Sequence, residues 1–304
     1  MEGTNTCANT DIMENKLAGH YLERIQIEGL WGRYDVDWRL HPDVNILVGE
    51  NGTGKSTILQ LATAGLRFFQ LPRKTKFQKI EINADGRRFI YKEFRNVMTL
   101  KGERGYSLKM EKGETIPAQV DYINTFEFYP NKSGPGDNDI SNLESQLEAT
   151  TRQYLAYQSR QSNKVFANKM TFEAAFARKS YLFETFDRLF APTGKVVTEQ
   201  EGELEFLIDG TERIQRQDLS SGEKQLLIIL LTVLCQEEKP AILLMDEPEI
   251  SLHLRWQYEL IDIIRTLNPN CQVIIATHSP SLFNDGWRDK VFWTADIVQK
   301  AVPA

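Results

Sequence analysis

A chain of 304 residues is long enough to bury a sizeable core, as one large domain or as a core carrying an inserted lobe. Its 26% charged and 10% aromatic residues are those of an ordinary soluble globular protein, and no apolar run approaches the ~20 residues of a membrane-spanning helix. A net charge of −6 argues against a chain that binds nucleic acid over its whole surface.

The first twenty residues, MEGTNTCANTDIMENKLAGH, lack the basic start and apolar core of a secretory signal and read as a flexible leader. LERIQIEGL (Leu22–Leu30) alternates apolar and polar residues as a half-buried strand does. DVNILVG is a second strand that feeds a glycine-rich loop, and KSTILQLATAGLRFF is the helix beyond it. KIEINADGRRFIYKEF holds Asp85-Gly86 between alternating runs, a hairpin signal, and NVMTLKGERGYSLKM resembles a second hairpin turning near Gly102–Gly105. Between Arg73 and Glu114 there are twelve Lys and Arg against six Asp and Glu. Such a run is first the solvated face of hairpin strands and second a patch able to follow a phosphate backbone. YINTFEFYP is a further strand, ending in the loop NKSGPGDND.

From Ile140 to Phe190 the composition changes to long helices of mixed charge, without the sustained heptads of a coiled coil. GELEFLIDGTERI is another hairpin. There follow a polar loop, an apolar helix over Lys224–Cys235, the buried strand AILLMD, a helix through LRWQYELIDIIRTL and a last buried strand, QVIIATHSP. Short continuous apolar strands alternating with helices predict a parallel sheet covered on both faces. Cys235 and Cys271 sit in apolar segments, and with Cys7 they show no metal-ligand spacing. Buried free thiols suit a reducing compartment, so a cytoplasmic location is expected.

GENGTGKS (Gly49–Ser56) fits the phosphate-loop pattern GxxxxGK[ST], with a strand before it and a helix after it. Asn51, Gly52, Thr53 and Gly54 form a loop whose backbone N–H groups can approach phosphate oxygens closely, and the next helix aims its positive end at the same anion. Lys55 can reach the β- and γ-phosphates, Ser56 can ligate Mg²⁺, and Thr57 can add a hydroxyl near the α-phosphate. A nucleoside triphosphate ligand is therefore expected.

AILLMDEPE (Ala241–Glu249) places two carboxylates at the exit of a buried strand. Asp246 can hold Mg²⁺, while Glu247 points the other way along the strand, where a general base could polarise an attacking water. His278 follows a second buried strand and is expected at the same sheet edge, within reach of a γ-phosphate. DLSSGEKQ (Asp218–Gln225) is an N-cap, with serine oxygens and Glu223 satisfying the first free N–H groups of a helix. The same geometry is also a second anion cradle. One γ-phosphate cannot use both loops of one subunit if they lie on opposite sides of the core. Two copies packed head to tail can place each serine loop over the other's phosphate loop.

Together GENGTGKST, LSSGEKQ, LLMDEPEISLH and ATHSP resemble the ATP-binding cassette (ABC) ATPases. Within them the chain is similar to the non-transporter branch of SMC, RecF and OLD proteins and of AAA-family ATPases from anti-phage systems such as the PtuA-like ones. The resemblance spans most of Leu22–Pro280. It implies an α/β P-loop NTPase with an ABC-type core of mainly parallel sheet, an antiparallel β subdomain and an inserted helical lobe. The expected division is a leader at 1–20 and one ATPase domain at 21–304. That domain comprises a P-loop and β part at 21–130, a helical lobe at 140–192, and a signature, Walker B and switch-histidine part at 200–304.

By the same resemblance Lys55, Ser56 and Thr57 bind phosphate and Mg²⁺, Asp246 is the Walker B acid, Glu247 the catalytic base and His278 the switch histidine. The signature turn Ser220-Ser221-Gly222 contacts the ATP of a partner copy. The chain departs from the family at Ser221 and Glu223, where transporters favour Gly and Gln, and at His253, where many relatives carry an acid. Asn131 is a candidate for the missing Q-loop glutamine; Trp31, Arg33 and Tyr34 are candidates for contacting adenine or for packing in the core.

Hairpins and a helical lobe between Lys55 and Ser220 suit a transporter cassette poorly, and little chain follows His278 to build the nuclease domain of OLD proteins. The expected function is an ATP-hydrolysing switch that works as a homodimer or higher even-numbered oligomer through composite ATP sites. It would control a separate effector, a nuclease or toxin, in anti-phage defence, with no membrane partner. The alternative is a RecF- or SMC-like ATPase of DNA repair or replication that binds nucleic acid; a transporter subunit ranks third.

Overall fold

The computed structural model describes residues 21–67, 75–98, 104–110, 118–124, 142–283 and 286–301. The leader, Cys7, Asn131 and the loop NKSGPGDND lie outside the described residues. β1 (Leu22–Leu30) pairs antiparallel with β2 (Tyr34–Arg39), and β3 (Val44–Val48) is buried at all five positions before α1 (Lys55–Arg67). The hairpin of β4 (Lys79–Ala84) and β5 (Arg87–Met98) turns at Asp85 and Gly86, both at positive φ, as the two-residue turn of a twisted hairpin requires. β6 (Arg104–Met110) pairs with β5, and β7 (Gln119–Asn124) leads toward the helical lobe.

The helical lobe is α2 (Asn142–Phe166) and α3 (Phe172–Phe190). Thr171 caps α3 by accepting from the Ala174 N–H. A small sheet follows: β8 (Lys195–Gln200), β9 (Glu203–Ile208) and β10 (Glu212–Ile214). Then come α4 (Ser221–Cys235), β11 (Ala241–Asp246), α5 (Leu254–Leu267) and β12 (Cys271–Thr277). Three elements beyond this point were not anticipated: β13 (Val291–Trp293), α6 (Thr294–Ile297) and β14 (Val298–Lys300). Segments of three or four residues are too short to show a period.

β13, β3, β12, β11 and β7 form one sheet in that order, and every adjacent pair in it is parallel. A separate antiparallel sheet runs β14-β2-β1-β4-β5-β6. The parity of the parallel strands sorts the core into two layers. Leu47, Ile242, Leu244, Ile274 and Ala276 pack with Ile58, Leu59 and Ala62 of α1 and with the antiparallel sheet. Ile46, Leu243, Met245, Val273 and Ile275 pack with α4, α5 and the helical lobe. The phosphate-loop helix and the signature helix thus lie on opposite faces of one sheet.

Charge secures the lobe. The Glu237 carboxylate just past α4 accepts from Arg160, Gln161 and Lys164 of α2. Burial alone would raise its pKa, but the two cations win and hold it at about 2. Part of the basic run is internal to the antiparallel sheet, where Lys79 bridges Glu28 and Glu81 and Arg88 also pairs with Glu81. Among the described residues no helix is long and apolar enough to cross a membrane.

Candidate nucleotide site

β3 delivers the phosphate loop to the end of the parallel sheet, and Asn51 and Gly52 form its exposed crest. Gly54 has a φ of 99°, and a Cβ there would sit 2.8 Å from the Trp31 ring, so this position needs glycine on two counts. Thr53 closes the loop, its hydroxyl donating to the Glu50 carbonyl at 2.8 Å. The Lys55 ammonium is buried and donates to the carbonyls of Gly49 (2.9 Å) and Glu50 (3.1 Å). A buried cation hydrogen-bonded to loop carbonyls is well placed to exchange one of them for a phosphate oxygen. Thr57 lies partly exposed on the first turn of α1.

Ser56 Oγ donates to Asp246 Oδ1 at 2.9 Å, joining the phosphate loop to the exit of β11. Asp246 is 2% exposed, and burial, reinforced by the charges of Glu247 and Glu249, pushes its pKa up to about 6 despite the Ser56 bond and Lys55. Two hard oxygens, one on a carboxylate that is costly to keep ionised alone, fit a Mg²⁺ ion. Glu247 leaves the strand at a φ of 48°, a conformation a non-glycine side chain rarely adopts, and its N–H donates to the Ala276 carbonyl at 2.8 Å. His278 stands half exposed beside it, with Nδ1 3.6 Å from Glu247 Oε1. The two motifs that sequence placed at one sheet edge do meet there.

One residue of this cluster escaped the sequence reading. Glu249, in the turn after Glu247, is 5% exposed; its Oε1 accepts from the Thr277 hydroxyl and the His278 N–H (3.1 Å) and lies 3.4 Å from His278 Nδ1. The available signal was a third carboxylate in DEPE, but only tertiary structure shows what it touches.

The signature turn is built as the capping box expected of it. Ser220 Oγ accepts from the Glu223 N–H (3.2 Å), and Glu223 Oε2 accepts from the Ser220 N–H (2.7 Å) and Lys195 (2.8 Å). Burial would raise the Glu223 pKa, but Lys195 and the Ser220 N–H hold it below the usual carboxylate range. Because Ser220 Oγ serves the helix as an acceptor, its own hydrogen remains for an external oxygen. Ser220 and Ser221 are exposed and Gly222 is buried. A Cβ on Gly222 would lie 2.2 Å from the Ser251 carbonyl, so the signature helix begins directly against the loop after Glu247. Lys224 ties the same turn to the lobe through Glu144 (3.3 Å) and to the Gln217 carbonyl (3.0 Å).

Of the adenine candidates, Trp31 is the one found against the phosphate loop, 37% exposed, at a φ of 55° and edge-on to Tyr34. Arg33 lies exposed on the adjoining turn. His253 caps α5, its Nδ1 accepting from the Arg255 N–H at 3.3 Å.

Residues 44–284 match a family model described as "AAA domain, putative AbiEii toxin, Type IV TA system". Among solved structures, an SMC head bound to the C-terminal winged-helix domain of ScpA is 16% identical, with a TM-score of 0.53 over 86% of this chain and 91% of that one. The SMC head domain from Thermotoga maritima is 15% identical, with a TM-score of 0.47 over 93% of this chain and 99% of that one. At such identities the first likeness speaks for the fold. With its phosphate loop, parallel sheet and signature helix arranged as described, the chain belongs to this family of AAA-domain ATPases and has the ABC-type P-loop fold of SMC heads.

Proposed function

We propose that the protein is an ATP-hydrolysing, dimerising switch that works as one ATPase domain over residues 21–304. Asn51–Thr57 bind the triphosphate, with Lys55 on the β- and γ-phosphates, and the exposed face of Trp31 offers a shelf for the base. Ser56 and Asp246 would hold Mg²⁺, which would supply positive charge against the phosphates. Glu247 accepts a proton from the attacking water, and His278 addresses the γ-phosphate. Ser220, Ser221 and Gly222 complete the site on a second copy, giving a homodimer or a higher even-numbered oligomer.

The observation that carries this reading is the placement of α1 and α4 on opposite faces of the sheet, with the Ser220 hydroxyl exposed. Within one subunit the two anion cradles have no common phosphate. Across a two-fold axis they do. The closed dimer is the state that would restrain or release a separate effector. A toxin or nuclease in anti-phage defence suits a family described by a toxin–antitoxin system. The buried free thiols Cys235 and Cys271 suit a cytoplasmic setting. A DNA-tracking role draws less support, since Lys79 and Arg88 of the basic run are engaged by Glu28 and Glu81.

The test is Glu247→Gln. Loss of a general base should slow turnover by about a hundredfold or more and leave an ATP-bound dimer that persists on sizing. Turnover at the wild-type rate would place the base elsewhere.

A further inference from the structure

Outside the residues assigned so far, the described residues hold one closed ring of polar side chains, buried at Glu249, Gln257 and Thr277 and partly buried at Ser279. Glu249 Oε1 accepts from the Thr277 hydroxyl and from the His278 N–H. Thr277 Oγ1 accepts from the Ser279 N–H at 2.9 Å, and the Ser279 hydroxyl donates to Gln257 Oε1 at 2.8 Å. Gln257 Nε2 then returns to the Leu252 carbonyl (2.9 Å) and the Glu249 carbonyl (3.3 Å). Every member lies on one of three segments: the turn after Glu247, the start of α5, and the exit of β12 at His278.

Two features mark this ring as more than packing. The Glu249 side chain is 4% exposed, yet its Oε2 has no partner among the described residues, an expensive arrangement for a carboxylate that only fills space. Its single bonded oxygen sits where it fixes both the main chain of His278 and, at 3.4 Å, the Nδ1 side of the ring. The ring of bonds ends on Leu252, next to the Ser251 carbonyl that touches Gly222. A shift of the signature helix therefore presses on the same short turn that holds Glu249.

We propose that Glu249 is a positioning residue that holds His278 beside Glu247, and that Gln257 ties this arrangement to the turn contacting the signature helix. The proposal rests on the ATPase reading for its kinetic consequence, though not for its geometry. Neither residue needs to touch nucleotide. Together they connect the turn packed against Gly222 to the main chain of His278 by hydrogen bonds, and to its ring by the 3.4 Å approach of Glu249 Oε1, within one subunit.

The experiment uses the full chain, with Glu249→Gln, Glu249→Ala, Gln257→Ala, His278→Ala and the Glu249→Ala/His278→Ala double variant. Misplacing a reacting group can cost on the order of a hundredfold, so Glu249→Ala should lower kcat by about ten- to a hundredfold with KM for ATP changed less than about twofold. Gln keeps the accepting oxygen, so Glu249→Gln should stay within about threefold of wild type. Once His278 is gone, Glu249→Ala should add nothing further, because residues acting as a unit are not additive. Multiplying losses, or a Gln variant as slow as Ala, would overturn the proposal. Gln257→Ala, which leaves the carboxylate in place, should lower kcat by about threefold or more if Glu249→Ala does not fold; wild-type kinetics would remove Gln257 from the scheme.

Amide hydrogen exchange of the nucleotide-free chain separates this proposal from the ATPase reading. The His278 N–H should exchange faster in Glu249→Ala and as in wild type in Glu249→Gln, with Val273–Ala276 unchanged. Unaltered His278 exchange in Glu249→Ala would refute the positioning role whether or not the protein hydrolyses ATP. An inactive wild type showing the expected exchange pattern would sink the ATPase reading alone.

Discussion

Replacing Asp246 by Asn should stabilise the protein when neither nucleotide nor Mg²⁺ is present, and the structure sets the size. Burial moves the Asp246 pKa from 3.8 to about 6. Folding with the group ionised then costs about 3 kcal/mol relative to folding with it protonated. Asn occupies the same volume and can still accept from Ser56, so it should recover about 1–3 kcal/mol at pH 8. The sign follows from linkage: the folded state binds the proton more tightly, so wild-type stability is lost as pH rises from 3.8 toward 6 and levels off above it. The gain from Asn should accordingly fall to about half at pH 5 and about a fifth at pH 4. Urea unfolding in EDTA at the three pH values measures it. Excess Mg²⁺-ATP should reverse the order, since wild type alone keeps the carboxylate that a cation rewards. An Asn variant that is less stable at pH 8, or equally favoured at pH 4, would show that burial does not strain this carboxylate.

Three further outcomes follow from the geometry. Gly222→Ala places a methyl 2.2 Å from the Ser251 carbonyl, so it should cost about 1–3 kcal/mol in thermal or urea unfolding or displace the signature turn and slow hydrolysis; neutral behaviour in both would contradict the packing. Glu237, held at about 2 by Lys164 and Arg160, contributes stability that is present above about 4.5 and lost as pH falls toward 2. Acid unfolding should therefore be steeper in wild type than in Glu237→Gln. Trp31 emission should change when ATP is added, and Trp31→Phe should remove that change while leaving binding within about tenfold; an unaltered signal in the variant would place the reporter at another tryptophan.

Much of this arrangement could be read before any coordinates. The alternation in Leu22–Leu30, the Asp85-Gly86 turn and the unbroken apolar run Ala241–Met245 each state a local preference that packing then obeys. Strand parity predicts that Asp246 and Glu247 separate, but β11 ends at Asp246 and Glu247 turns off the strand at a φ of 48°, which successive strand positions cannot foresee. What could not be read depends on distant partners. Glu249 looks like a surface acid until β12 brings Thr277 and His278 to it, and Trp31 looks like core until its ring is found over Gly54. β13 and β14 gain their strand character from neighbours, β3 and β2, since three residues carry no period of their own.

The central claim is that one triphosphate is shared between the phosphate loop of one copy and the serine turn of another. Mixing Lys55→Ala with Ser220→Arg subunits tests it directly, because a mixed dimer holds one site built from two intact halves. Each variant alone should be inactive, and a random equal mixture should recover about a quarter of the wild-type rate. A mixture as inactive as its components, under conditions where mixed dimers are shown to form, would contradict the account.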